Sequence, residues 1–166
     1  RQTAQAALDR AALIRVQAAL DNGAPFADAL SEIEGVEVPE ALASVAATGV
    51  PTLGRLREGF PDAAREALEA ARRATMPEEP AGRIQTFVQN QIGMRSLAPR
   101  EGDDPDAILS RAGDALQRGD LDAALAEIGT LPEAGQEAMG DWLAGARERA
   151  AALDAAASLV SSLNAN

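Results

Sequence analysis

The residues that could do chemistry are few and of restricted type. The 166-residue chain contains no histidine, no cysteine and no tyrosine, and every basic side chain is arginine. The commonest general base and transition-metal ligand is therefore missing, as is any thiolate nucleophile or disulfide. Four carboxylates, Glu101, Asp103, Asp104 and Asp106, crowd into six positions and could coordinate a hard cation. They lack the loop glycine and distal bidentate glutamate of a calcium-binding hand, and helix capping explains part of the cluster. No glycine-rich phosphate cradle and no paired-acid signature accompanies the scattered Ser, Thr and carboxylates. The expectation is a protein without catalysis, metal or cofactor. Arg118-Gly119-Asp120 spells an adhesion tripeptide, but the end of one helix meeting the cap of the next accounts for it fully.

Charge excludes another class. The net charge is −11, whereas a nucleic-acid binder needs a positive surface. Residues 1–100 hold 11 Arg against 13 acids and residues 101–166 hold 4 against 13, so the carboxy-terminal part is the more acidic. A modestly basic stretch, 51–100, lies between acidic ones. Within it, Leu53, Leu56 and Phe60 recur at three to four residues, with Arg55, Arg57 and Arg65 nearby. Such a segment can lie on an anionic membrane with its apolar face dipping below the headgroups. The same spacing also suits a core helix with solvated arginines. No apolar run approaches the roughly 20 residues of a spanning helix, and the chain opens in mid-pattern, as a piece of a longer protein would.

The elements that must position these residues are helical. Alanine and leucine dominate the apolar class and aromatics are only 2% of residues, too few for a β-sandwich. The best punctuated stretch is Gly102 to Leu143. Asp104 can cap a helix with Pro105 at its first position, and Ile108, Leu109, Ala112 and Leu116 follow at helical spacing. Gly119 permits a left-handed exit, Asp120 caps the next helix, Gly129 closes it, and Pro132 suits the first turn of a long final helix. Met139, Leu143, Ala146, Ala150, Leu153, Ala157 and Val160 alternate at four and three residues along that helix, the spacing of a helix–helix seam. Gly135, Gly140 and Gly145 interrupt it and destabilise it unless a neighbour packs closely.

Earlier in the chain, Gln2 to Leu20 is one helical pattern with Leu13, Val16 and Leu20 on one side. Ala24-Pro25 starts a second helix stopped by Gly35, and Pro39 begins a third ending at Thr48-Gly49. Thr52 can cap a helix that Pro61 interrupts, predicting a kink or two short helices there. A better helix follows from Asp62 to Arg73, then one carrying Ile84, Phe87, Val88 and Ile92. The architecture expected is all-α: a bundle of short antiparallel helices closed by a long C-terminal helix. Its segments are N-terminal helices over 1–48, possible end of a coiled coil or entry to the domain; an amphipathic segment over 49–76; and the bundle over 77–166.

The pattern Gly102-Asp103-Asp104-Pro105, Ala107-Ile108-Leu109, Leu116, Arg118-Gly119-Asp120-Leu121, Ala123-Ala124, Leu131 and Asp141-Trp142-Leu143 resembles the C-terminal domain of mitofilin. The resemblance covers about two-thirds of the chain. It implies a family that shapes inner-membrane folds (cristae in mitochondria, intracytoplasmic membranes in bacteria), and the Ala- and Arg-rich composition is similar to its alphaproteobacterial members. It further implies a periplasmic domain anchored by a transmembrane helix outside this chain, homo-oligomerisation, contact with anionic lipid, and a link to outer-membrane assembly machinery. The family's amphipathic membrane-active helix aligns with Val50 to Arg73, so Leu53, Leu56 and Phe60 with Arg55, Arg57 and Arg65 are the implied lipid-facing residues. Met139, Leu143, Ala146, Ala150, Leu153 and Val160 are the candidate oligomer or helix seam. The competing expectation is a helical protein–protein adaptor without direct lipid contact.

Overall fold

Each helix boundary in the well-punctuated stretch follows from its residue chemistry. The computed structural model describes residues 2–75 and 101–165. The helices are α1 (Gln2–Asn22), α2 (Ala27–Ser31), α3 (Glu40–Ala43), α4 (Leu53–Thr75), α5 (Pro105–Arg118), α6 (Leu121–Ile128), α7 (Glu133–Ala138) and α8 (Gly140–Ala165). The fold is all-α with a long C-terminal helix, as the composition predicts. The helix expected around Ile84 to Ile92 lies outside the described residues.

Asp104 caps α5: its Oδ1 accepts the amides of Asp106 and Ala107, each at 3.1 Å, with Pro105 filling the position that needs no donor. Gly119 ends α5 with φ +84°, and the Oδ1 of Asp120 accepts the Ala123 amide at 3.0 Å to start α6. Thr52 caps α4 through its hydroxyl, which accepts the Arg55 amide at 3.1 Å.

Four expectations fail here. Pro61 does not divide its segment; α4 runs unbroken from Leu53 to Thr75. The proline ring is exposed and deprives the Arg57 carbonyl of its helical donor, a loss of about 3 kcal/mol in an isolated helix. Burial of Phe60, Ala67 and Ala71 on the adjoining face of the helix offsets it. Pro132 stands before α7 as its cap residue rather than within the first turn. The last helix is also not continuous: Met139, at φ −105° and ψ 23°, separates six-residue α7 from α8. Pro39 likewise caps α3 from outside it.

The chain forms two compact units, one of Arg1–Leu56 with Ala144–Asn166 and the other of Arg57–Leu143. In the first, α1 packs on α2. Its core gathers Val16 and Leu20 of α1, Leu30 of α2, Leu42 of α3, and Ala152, Ala156 and Leu159 of α8. Gly49 is required where it stands: at φ +74° a Cβ would lie 2.7 Å from the carbonyl oxygens of Gly23 and Ala24. In the second unit α5 packs on α6, with Ile108, Leu116, Leu121, Ala124 and Ile128 buried. Gly135 lets α7 approach α4, since a Cβ there would stand 3.2 Å from the Ala67 carbonyl. Gly145 meets the Pro51 ring within the first unit, whereas Gly140 faces open space.

Candidate functional site

The apolar stripe of α4 faces inward. Leu56 and Phe60 are 4% and 8% exposed, and Leu53 is half-buried. In the second unit Phe60 meets Trp142 edge to face, with 5.2 Å between ring centroids. A Cβ on Gly113 would come within 3.1 Å of the Phe60 ring, so the glycine makes room for it.

The arginines of the same helix divide by partner. Arg57 is half-buried and caps the end of α5: its Nε donates to the Leu116 carbonyl and its Nη2 to that of Gln117, both at 2.9 Å. Those carbonyls belong to the last turn of α5, where a cation also meets the negative end of the helix dipole. Arg65 is exposed and pairs with Asp62 at 2.9 Å, and Arg55 is exposed. The outward face of α4 interleaves Arg55, Glu58, Asp62, Arg65, Glu66 and Glu69, with no large apolar residue among them. The six residues expected to face lipid are thus split between core, helix cap and a mixed-charge surface.

The seam residues on α8 divide as well. Met139, Leu143 and Ala146 are buried, Ala150 and Val160 are half-buried, and Leu153 is 37% exposed. From Arg149 onward the inward face is Arg149, Ala152, Ala155, Ala156 and Leu159, one residue out of register with the expected seam. Its one charged member explains the difference. Arg149 is 7% exposed, and its Nη1 donates to the carbonyls of Leu20 at 2.8 Å and Pro51 at 3.1 Å. It thereby ties α8 to the end of α1 and to the loop before α4. Burial pulls the guanidinium below its ordinary value, and the Asp21 carboxylate partly opposes that.

Sequence patterning missed a second apolar face. Ala4, Ala7, Ala11, Ile14 and Ala18 of α1 alternate at three and four residues, and all are exposed, as is Leu8 beside them. Ile14 is 64% and Leu8 58% exposed. In the same unit α8 turns Leu153 and Ala157 outward between half-buried Ala150 and Val160. The signal was present in the three-four spacing of the alanines, masked by the stronger Leu13, Val16, Leu20 stripe that forms the core.

Among the described residues, no helix is long and apolar enough to cross a membrane, and no group of acidic side chains could hold a metal ion. The family described as Mitofilin, a mitochondrial inner membrane protein, matches residues 12–164, from the middle of α1 to the end of α8 less one residue. The chain belongs to the mitofilin family. Relatives named MICOS complex subunit mic60 are 34% identical over 116 residues in Talaromyces marneffei and 32% identical over 117 residues in Penicillium rubens. These alignments cover 66% and 67% of this chain, and 18% of each relative. A third, from Talaromyces stipitatus, is 29% identical over 146 residues, 80% of this chain and 22% of its own length. The mitofilin chain thus spans about a fifth of the curated relatives it matches. No solved structure matches it. The capped helices at Asp104 and Asp120, and the aromatic pair ending in Trp142, are where its mitofilin pattern becomes structure.

Proposed function

We propose that this mitofilin chain is the helical assembly domain of an inner-membrane-organising protein. On this proposal it joins copies of itself, works at the membrane surface and contributes no catalytic chemistry. One observation carries the assembly role. Among the described residues, the large apolar side chains left outside the core, Leu8, Ile14 and Leu153, all belong to α1 and α8 of one unit and sit in stripes of three-four spacing. Knobs at that spacing pack into the holes of a like helix, and a second copy supplies two such helices.

The membrane role rests on family membership: the relatives are subunits of a MICOS complex and the family is described as an inner membrane protein. On this proposal the domain lies on the periplasmic side of a bacterial inner membrane, with the anchoring helix in a part of the protein outside this chain. The burial of Leu56 and Phe60 argues against α4 as an inserted wedge in this conformation, and the net charge of −11 argues against strong attraction to anionic lipid. Light scattering on size-exclusion eluates tests assembly: a dimer or larger species is expected, converted to monomer by Leu8→Glu with Ile14→Glu.

The second proposal is an adaptor that never touches lipid, favoured by the mixed-charge outward face of α4. Flotation with vesicles separates the two, since an adaptor stays with the soluble fraction at every lipid composition.

A further inference from the structure

Helix α1 ends on Asn22-Gly23, a pair in which a backbone nitrogen can attack the neighbouring side-chain amide. Glycine has no Cβ to shield its nitrogen from the preceding asparagine. Asn22 is exposed, and among the described residues no protein group hydrogen-bonds its side-chain amide. Asn164 is exposed as well, but it lies within α8 and is followed by Ala165, whose methyl group obstructs the same approach.

Ring closure requires the peptide between Asn22 and Gly23 to turn out of helical geometry. A helix resists such a turn by holding the amide of the following residue on one of its last carbonyls. Both carbonyls that could hold the Gly23 amide already accept other donors. The Ala24 amide donates to Ala19 at 3.0 Å, and Arg149 Nη1 donates to Leu20 at 2.8 Å. These two bonds anchor the end of α1 while the Gly23 amide turns, and Gly23 already sits at φ +70°.

We propose that Asn22 is a site of spontaneous deamidation in the folded protein. The Gly23 nitrogen gives up its proton to water and bonds to Cγ of Asn22. The bond from Cγ to the side-chain nitrogen breaks, ammonia leaves, and a five-membered succinimide remains. Water then opens the ring at one carbonyl to give aspartate, or at the other to give isoaspartate, in which the chain runs through the side-chain carbons. Either product places a new carboxylate beside Asp21 at the negative end of the α1 dipole. Isoaspartate also lengthens the backbone where space is short. A Cβ on Gly23 would stand 3.0 Å from Thr52 Cγ2, and one on Gly49 would stand 2.7 Å from the Gly23 carbonyl oxygen. The modification therefore loosens α1 from the loop before α4.

The test stores the full chain at mildly alkaline pH in water enriched in heavy oxygen, then maps its tryptic peptides by mass spectrometry. The peptide from Val16 to Arg55 should take up heavy oxygen at Asn22 several-fold faster than Asn164 does. An isoaspartate carboxyl methyltransferase, used as a probe, should label stored wild type but not stored Asn22→Gln, whose longer side chain cannot close the same ring. The urea midpoint of wild type should fall on storage while that of Asn22→Gln holds. Equal rates at Asn22 and Asn164 overturn the proposal, as does conversion of Asn22 only after urea has unfolded the chain. Midpoints that fall alike in wild type and Asn22→Gln overturn the loosening of α1.

Discussion

The Phe60 ring presents an edge to Trp142 at 5.2 Å between centroids and 62° between planes. This contact joins the middle of α4 to the start of α8 within the second unit, and it assigns the aromatic of the amphipathic segment to the core. Truncating Phe60 to alanine should lower stability by about 3–5 kcal/mol, the range for a buried aromatic. A double-mutant cycle of Phe60→Leu with Trp142→Leu should give a coupling of about 0.5–1.5 kcal/mol beyond burial alone. Urea denaturation followed by circular dichroism measures both. A charged residue at position 60 should unfold this unit, so loss of vesicle binding in such a variant reports unfolding and not loss of a lipid contact.

Arg57 offers a cleaner separation of core from lipid. Arg57→Ala removes the side-chain donor from the Gln117 carbonyl and one of two donors from that of Leu116, which keeps the Gly119 amide, and should lower stability by about 1–2 kcal/mol. Arg55→Ala and Arg65→Ala, both at exposed positions, should change it by less than about 0.5 kcal/mol. If α4 bound lipid through its arginines, the three substitutions would instead weaken flotation alike at unchanged stability.

Arg149 should be the more sensitive guanidinium. Arg149→Met leaves the carbonyls of Leu20 and Pro51 unsatisfied, a loss of about 1–3 kcal/mol. Relief of the desolvated charge offsets part of it. Chemical denaturation of this variant beside Arg147→Met, which alters an exposed neighbour, checks the difference.

Acid should dissolve one surface contact before the rest. Arg15 and Glu32 form a bidentate pair linking α1 to the end of α2, and the hydrogen bond from Arg15 holds the Glu32 carboxyl below its ordinary range. A depressed carboxyl contributes stability that is present above its unfolded value and lost as pH falls through the folded one. Wild type should therefore exceed Glu32→Gln slightly at neutral pH, with the gap closing as pH drops below the carboxylate range and shrinking in high salt. Denaturation midpoints at two pH values measure it.

Legibility in the sequence followed the range of the interactions involved. Asp104, Pro105, Gly119 and Asp120 act on amides and carbonyls a few residues away, so their types alone located the ends of α5 and α6. The face of α4 was ambiguous for a physical reason: a core helix and a membrane-surface helix carry the same spacing of Leu53, Leu56 and Phe60, and only tertiary packing decides between them. The register of α8 was lost because alanine occupies both of its sides. The one side chain that marks its inward face, Arg149, is charged, and apolar spacing does not register a charged residue as core.

The central claim is that α1 and α8 carry the surface through which copies of this mitofilin domain meet, while the apolar face of α4 is core. Sedimentation equilibrium over a range of concentrations tests it most directly, comparing wild type with the doubly substituted Leu8→Glu, Ile14→Glu chain at equal helicity. The account predicts a mass that rises with concentration for wild type and stays monomeric for the variant. Identical mass curves for the two proteins would contradict it.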